Sequence, residues 1–242
     1  MRWIYISPHF DDAALSCGGL IWEQTHSGIP VEIWTLTAGD PPPGPVSDLI
    51  TRVHSEWNTG SPLETVALRR IEDQHAARIV GAGTRHLKMV DALYRRNHSD
   101  ELLYTDDVFD PIHPDEAGIV EKVLELLGEN LTQYDTVVCP LALGSHVDHV
   151  ITRMAAEKLG RPLWYYADVP YLFRHEEELA PATIGMTGKK FFVSQHGLAA
   201  WQDGISAYVS QVPSLFGDEP GMRTQIKNYQ EAGSGLTIWD RE

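Results

Sequence analysis

Cysteine, positive charge and long apolar runs are all scarce in this 242-residue sequence. Its two cysteines, Cys17 and Cys139, lie in apolar contexts and offer no disulfide framework, so we expect reduced core residues. Lysine and arginine number 19 against 34 aspartates and glutamates, and the resulting net charge of −15 argues against a nucleic-acid partner. No apolar run has the length of a signal-peptide core or a membrane-spanning helix. We therefore expect a cytoplasmic protein without membrane insertion.

The remaining composition is ordinary for a globular protein, with 43% apolar and 22% charged residues. The length fits one domain spanning residues 1–242, because α/β domains of this size bury a full core. No internal repeat, low-complexity tract or linker divides the chain. Short β-rich runs alternate with longer helical stretches, which predicts an α/β fold with a mostly parallel central sheet.

Five strands and five helices are predicted from this alternation. The strands are residues 2–7, 31–37, 85–89, 135–139 and 163–167, and the helices are residues 13–27, 63–80, 115–129, 147–158 and 199–212. Two other segments, 39–62 and 168–190, are expected to be irregular, the first as a lid over the strand ends. In such sheets, ligands bind outside the carboxyl ends of the strands at a topological switch point.

Two polar motifs follow predicted strands. Ser-Pro-His-Phe-Asp-Asp occupies positions 7–12 and His-Val-Asp-His occupies positions 146–149. Alone, the first could be an N-cap pair at a helix start and the second a solvated turn. Together they indicate a split metal site, since catalytic zinc takes three His, Asp or Glu ligands and leaves one position open. Spacing alone does not tell which carboxylate binds the metal.

The two motifs resemble those of the LmbE/PIG-L family of zinc-dependent N-deacetylases, which carry Pro-His-x-Asp-Asp and His-x-Asp-His. Weaker matches extend the resemblance to about residues 1–217: Gly18-Gly19, Arg69-x-x-Glu72-x-x-x-Ala76-x-x-x-Val80-Gly81 and Ala207-Tyr208-x-Ser210-Gln211. The family usually has Glu at the position of Ala13 and Pro at that of Val147. Neither departure replaces a metal ligand.

The resemblance implies a three-layer Rossmann-like fold and an enzyme that removes an N-acetyl group from an amino sugar or glycoconjugate. It assigns His9, Asp12 and His149 as ligands of one zinc ion, although such a donor set also accepts iron, manganese or cobalt. The implied catalytic residues are Asp11 as general base, His146 as a protonated or hydrogen-bond-donating oxyanion stabiliser, and Asp148 as a residue that orients a histidine.

Two further residues are expected to bind substrate. The resemblance implies that Arg69 reaches the substrate pocket, and Asp168 follows the fifth predicted strand on the same side. His54 is expected at the surface, and Trp57 to pack or to stack on a sugar. The partner is thus a small N-acetylated molecule, and a homo-oligomer remains open.

Two other functions remain open as well. The chain could hold a glycan or metabolite on a metal-bearing fold without turning it over, or hydrolyse another ester or phosphoester by the same metal chemistry.

Overall fold

A seven-stranded sheet forms the centre of the fold in the computed structural model, which describes residues 1–109 and 111–241. The strands are β1 (Trp3–Ser7), β2 (Val31–Thr35), β3 (Gly83–His86), β4 (Thr136–Pro140), β5 (Leu163–Tyr166), β6 (Thr187–Phe191) and β7 (Leu236–Asp240). Their spatial order is β3-β2-β1-β4-β5-β7-β6. The first five are parallel, and β7 and β6 join antiparallel. The predicted mostly parallel α/β sheet is confirmed.

Helices cover both faces of this sheet. They are α1 (Asp12–His26), α2 (Asp48–Glu56), α3 (Pro62–Val80), α4 (Ile119–Gly128), α5 (Val147–Glu157), α6 (Tyr171–Arg174), α7 (Leu179–Ala182), α8 (Gln195–Ser206), α9 (Val212–Phe216) and α10 (Glu219–Gly233). Along β1 the side chains alternate: Tyr5 packs in the core with α1, α3 and α8, whereas Ile4 and Ile6 pack in the core with α4 and α5. The arrangement is the expected three-layer fold.

The order of the strands places a switch point between β1 and β4. The chain passes from β1 to β2 and β3 on one side, then returns to β4 and β5 on the other. The loops that follow β1 and β4 therefore diverge and leave a crevice at the carboxyl edge of the sheet. Both polar motifs lie where these loops lead into the following helices, α1 and α5.

A close helix contact explains the Gly18-Gly19 pair. These residues lie on α1 against Trp201 of α8, and a Cβ atom added to Gly18 would overlap the indole ring. The buried Trp201 donates its Nε1–H to the carbonyl oxygen of Ala14 at 3.0 Å. The indole is therefore fixed on α1, and the glycine provides the space that it occupies.

Some elements differ from the sequence prediction. Residues 48–56 form α2 inside a segment expected to be irregular, and residues 187–191 add the exposed strand β6. The helix predicted at 199–212 is shifted to α8, Gln195–Ser206, because the chain leaves the helix after Ser206 and turns toward α3. Within residues 1–109 and 111–241, no helix is both long and apolar enough to span a bilayer.

Candidate metal centre and active site

The two polar motifs meet at the carboxyl ends of β1 and β4, which are neighbours in the sheet. His9 lies in the turn between β1 and α1, His146 is the N-cap of α5, and His149 lies in the first turn of α5. The ring centroid of His9 lies 4.5 Å from that of His146 and 5.3 Å from that of His149. The three rings are buried and their nitrogens are near enough to share one metal ion.

Asp12 lies between two of these histidines. Its Oδ2 is 3.2 Å from Nδ1 of His9, and its Oδ1 is 3.3 Å from Nε2 of His149. The backbone N–H of His9 donates to the same Oδ2 at 2.7 Å, which fixes the carboxylate. Two imidazole nitrogens therefore converge on one buried carboxylate.

The other nitrogen of each imidazole meets a second carboxylate. His149 Nδ1 lies 2.6 Å from Asp168 Oδ1, and His9 Nε2 lies 3.2 Å from Asp148 Oδ2. Each ring therefore lies between two carboxylates. A carboxylate only accepts, so a ring that gives its proton to Asp168 or Asp148 leaves its opposite nitrogen for a cation beside Asp12. His149 Nε2 is buried and has no hydrogen-bond partner among the described residues. An unpartnered nitrogen aimed at a carboxylate fits a bound cation.

The charges around Asp12 also favour a cation. Burial opposes the charged form of His149, but the carboxylates of Asp12 and Asp168 outweigh it and raise its pKa to about 9. Burial likewise raises the pKa of Asp12, but His149 and His9 outweigh it and hold that pKa well below its usual range. Positive charge is thus stabilised here, whether it is carried by protons or by a divalent metal ion.

Asp11 lies beside this group but points to another partner. Its Oδ1 accepts a hydrogen bond from Nη2 of Arg69 at 3.0 Å, and both side chains are buried. Burial raises the pKa of Asp11, although the Arg69 guanidinium opposes the shift. A carboxylate with a raised pKa on a cavity wall has the properties of a general base.

The surroundings of His146 favour the hydrogen-bond-donating form over the protonated one. Burial and the nearby His9 hold the pKa of His146 well below its usual range, which favours the neutral ring. Its Nδ1 accepts the backbone N–H of Asp148 at 3.2 Å. The proton of the neutral ring is therefore on Nε2, which is available as a hydrogen-bond donor.

A cavity of about 310 Å³ opens onto these groups. Its walls include the aromatic side chains of Trp57, Phe109 and Tyr171, and Arg69 and Asp91 lie near its floor. The guanidinium of Arg69 lies 4.7 Å from the Trp57 ring centroid. Around the mouth are the exposed side chains of Arg52, Glu56, Asp106 and Asp107.

The two residues expected to bind substrate have different positions. Arg69 lines the cavity. Asp168, by contrast, is buried behind His149, where it also accepts the backbone N–H of Leu143 at 3.0 Å. It does not line the cavity, and its contact with Nδ1 orients the His149 ring. His54 was expected at the surface, but this is wrong: it is buried between the Gly60 carbonyl and the Tyr94 hydroxyl, each at 2.8 Å.

Sequence reasoning missed Asp91. This buried residue follows β3 at the same edge of the sheet, and its Oδ2 lies 3.8 Å from Arg69 and 4.0 Å from His9. Its position shortly after a strand was the available signal, but the strand was predicted to extend to residue 89 and no second polar residue marked the motif.

The segment that carries Tyr208 and Ser210 contacts the loop of the first motif and helix α3. The Tyr208 hydroxyl donates to the carbonyl oxygen of Phe10 at 3.0 Å, and Ser210 donates its backbone N–H and hydroxyl to Glu72 of α3 at 2.8 and 2.7 Å. Ala13 and Val147, the two departures from the family pattern, are buried in the core and do not line the cavity.

Comparisons with known proteins agree with this geometry. The family model described as PIG-L, GlcNAc-PI de-N-acetylase, matches residues 4–159. A 2'-N-acetylparomamine deacetylase from Niallia circulans is 29% identical over 255 residues, covering 99% of this chain and 90% of the relative. The zinc-inhibited form of teicoplanin deacetylase superposes with a TM-score of 0.82 at 26% identity, covering 99% of this chain and 97% of that one. A40926 pseudoaglycone deacetylase gives a TM-score of 0.74 at 28% identity, covering 99% and 95%.

A three-layer α/β fold with a His and Asp centre at the β1 and β4 ends is typical of the LmbE-like deacetylases. The chain belongs to the PIG-L family. The predictions of the family, of the fold class and of a hydrolase that acts on the N-acetyl amide of amino sugars are confirmed by these comparisons.

Proposed function

We propose that the chain binds one divalent cation through His9, Asp12 and His149, and that this cation is zinc. The observation that carries the proposal is the His149 ring: its Nδ1 is paired with Asp168, and its buried Nε2 faces Asp12 Oδ1 at 3.3 Å without a hydrogen-bond partner. Two neutral imidazoles and one carboxylate suit zinc. Residues 1–242 would act as one domain, in the cytoplasm.

In the proposed mechanism, the chain's own residues move the protons. The metal, when bound, lowers the pKa of water in the site and polarises the amide carbonyl. Asp11 accepts the proton of the attacking water and later delivers it to the departing amine. The Nε2–H of His146 donates a hydrogen bond to the carbonyl oxygen as negative charge develops there. Arg69 holds the Asp11 carboxylate in place at 3.0 Å. Acetate and the free amine leave.

We also propose that the preferred substrate carries a free amine in addition to its N-acetyl group. Three exposed carboxylates, Glu56, Asp106 and Asp107, stand around the cavity mouth together with the exposed Arg52. A cavity with an acidic mouth attracts cationic ligands and raises their local concentration. The relative from Niallia circulans acts on an N-acetylated amino sugar, by its name, which agrees with this substrate class.

Paired substrates test both parts of this proposal. N-acetylglucosamine conjugates with and without a second free amine are incubated with the zinc-loaded enzyme, and the released amine and acetate are quantified. We expect turnover of both and a higher kcat/KM for the amine-bearing member. Binding without release would identify a binding protein, and release only from ester analogues would identify another hydrolase.

Charge removal at the mouth provides the matched variants. Asp106→Asn combined with Asp107→Asn should raise KM for the amine-bearing substrate at low salt and leave the neutral one unchanged. Glu125→Gln, an exposed change on α4 away from the cavity, is the control. If the double variant affects both substrates equally, the mouth carboxylates do not select for the amine.

A further inference from the structure

A buried chain of charged side chains lies behind His9, on the side away from Asp12. It runs from Asp148 of α5 through Arg95 to Glu116 and ends at the Tyr104 hydroxyl. Each of these four side chains is buried. None of them lines the main cavity, so they do not meet substrate there.

The two oxygens of Asp148 have different partners. Oδ2 lies 3.2 Å from Nε2 of His9 and accepts the backbone N–H of Ala92 at 3.0 Å. Oδ1 forms an ion pair with Nη1 of Arg95. Because Asp148 is fully buried, no water is available to replace a lost partner, and the rotation of its carboxylate depends on these contacts.

Arg95 is itself held at three points. Its Nη1 also donates to the carbonyl oxygen of Val90 at 3.2 Å, its Nη2 lies 3.3 Å from Glu116 Oε2, and its guanidinium carbon lies 5.4 Å from the Tyr104 ring centroid. Tyr104 donates its hydroxyl to the same Glu116 oxygen at 2.6 Å. A planar guanidinium can satisfy several acceptors at fixed angles, whereas an ammonium acts as a point charge.

We infer that Arg95 is a positioning residue for the metal centre, acting through Asp148 on His9. By fixing Asp148 Oδ1, it turns Oδ2 toward Nε2 of His9, so that Nδ1 of His9 is the nitrogen left for the cation beside Asp12. The inference rests on the proposed metal ligands. It adds to them the reason why His9 presents Nδ1 although His149 presents Nε2.

The test measures metal affinity directly. Wild type, Arg95→Gln and Arg95→Lys are titrated with Co²⁺ against a chromophoric chelator, and the visible absorption spectrum of each Co²⁺ complex is recorded. We expect Arg95→Gln to bind Co²⁺ about 10–100-fold more weakly, the usual effect of losing an outer hydrogen-bond partner of a metal ligand, with an altered spectrum. Arg95→Lys should recover part of the affinity.

Arg2→Gln is the matched control, because Arg2 also pairs with two carboxylates, Asp135 and Glu32, but lies at the amino end of β1. It should lower stability without changing Co²⁺ affinity or the spectrum. If Arg95→Gln does not fold, Arg95→Lys and Glu116→Gln take its place, and each should weaken Co²⁺ binding relative to Arg2→Gln.

Wild-type affinity and spectrum in the folded Arg95 variants would overturn the inference and leave Arg95 as a stabilising ion pair. The proposed metal site fails separately, if His9→Ala and His149→Ala bind Co²⁺ as wild type does.

Discussion

Asp11 and Asp12 are adjacent in sequence but belong to different parts of the site. Asp12 lies between His9 and His149, whereas Asp11 faces Arg69. The turn between β1 and α1 separates them, because Asp11 is the N-cap residue and Asp12 the first residue of the helix. The two adjacent aspartates therefore suit the two proposed roles, Asp12 as a metal ligand and Asp11 as a general base.

Substituting each aspartate separately tests this division of roles. Asp11→Asn should leave one metal ion per chain and lower kcat roughly 10²–10⁴-fold, the usual effect of losing a general acid–base group. Asp12→Asn should weaken metal binding, since it removes the charged ligand. Metal content and kcat at saturating zinc are measured for both. Near-normal kcat in Asp11→Asn would assign the base to another residue.

His146 should act as a neutral hydrogen-bond donor. His146→Ala should retain the metal. It should raise the activation free energy for kcat by about 2.7–4 kcal/mol and leave KM nearly unchanged. Because burial and the nearby His9 hold the pKa of His146 below its usual range, we expect a neutral ring, and the alkaline limb of the pH profile should not move in this variant. A displaced alkaline limb would show that the His146 ring acts in its protonated form. His98→Ala, a substitution of an exposed histidine, is the control.

At the scale of elements, α2 is a helix that the sequence did not predict. Five prolines and three glycines in residues 39–62 indicated an irregular lid, yet Ser47 caps a helix over Asp48–Glu56. The helix packs Leu49 and Ile50 against Leu93 and Tyr94, contacts from a distant segment that no local pattern announces. The strands β1, β2, β4 and β5 were predictable because their apolar runs are bounded by polar motifs or glycines.

His54 connects α2 to the neighbouring part of the site, and its burial makes the free energy of unfolding depend on pH. Burial lowers the pKa of His54, so the unfolded chain binds more protons than the folded one below about pH 6.5. The contribution of His54 to the free energy of unfolding is therefore present above about pH 6.5 and is lost as the pH falls below that value. In urea unfolding at pH 5.5–7.5, the stability difference between wild type and His54→Gln should shrink toward acid. A constant difference would contradict this.

The contact of α1 with α8 makes a prediction about packing. Gly18→Ala should destabilise the protein by about 1–3 kcal/mol, because the new methyl group overlaps the Trp201 ring and forces a shift. Gly128→Ala, at the end of α4 with open space around it, should change stability by less than about 1 kcal/mol. Thermal unfolding measures the change in stability of each variant. Equal changes would mean that α8 moves aside at no cost in free energy.

At the scale of the whole molecule, the sequence predicted which residues of the proposed metal site come together, but not the residues that support them. His9, Asp12 and His149 stood in motifs at strand ends, so parallel topology alone brought them together. Asp91 and Arg95 carry no such pattern; Arg95 meets Asp148 across 53 positions only once α5 has docked on the sheet. The position of Asp168 at the end of the fifth strand was predictable from the sequence. Its contact with His149 was not, because that contact depends on tertiary packing.

Metal content measured by elemental analysis tests the central claim, that His9, Asp12 and His149 hold one catalytic ion, most directly. Wild type and His54→Gln, purified without chelator, should each contain about one divalent ion per chain, whereas His9→Ala and His149→Ala should contain almost none. Full occupancy in His149→Ala would contradict the account, because the unpartnered Nε2 of that ring would then have another purpose.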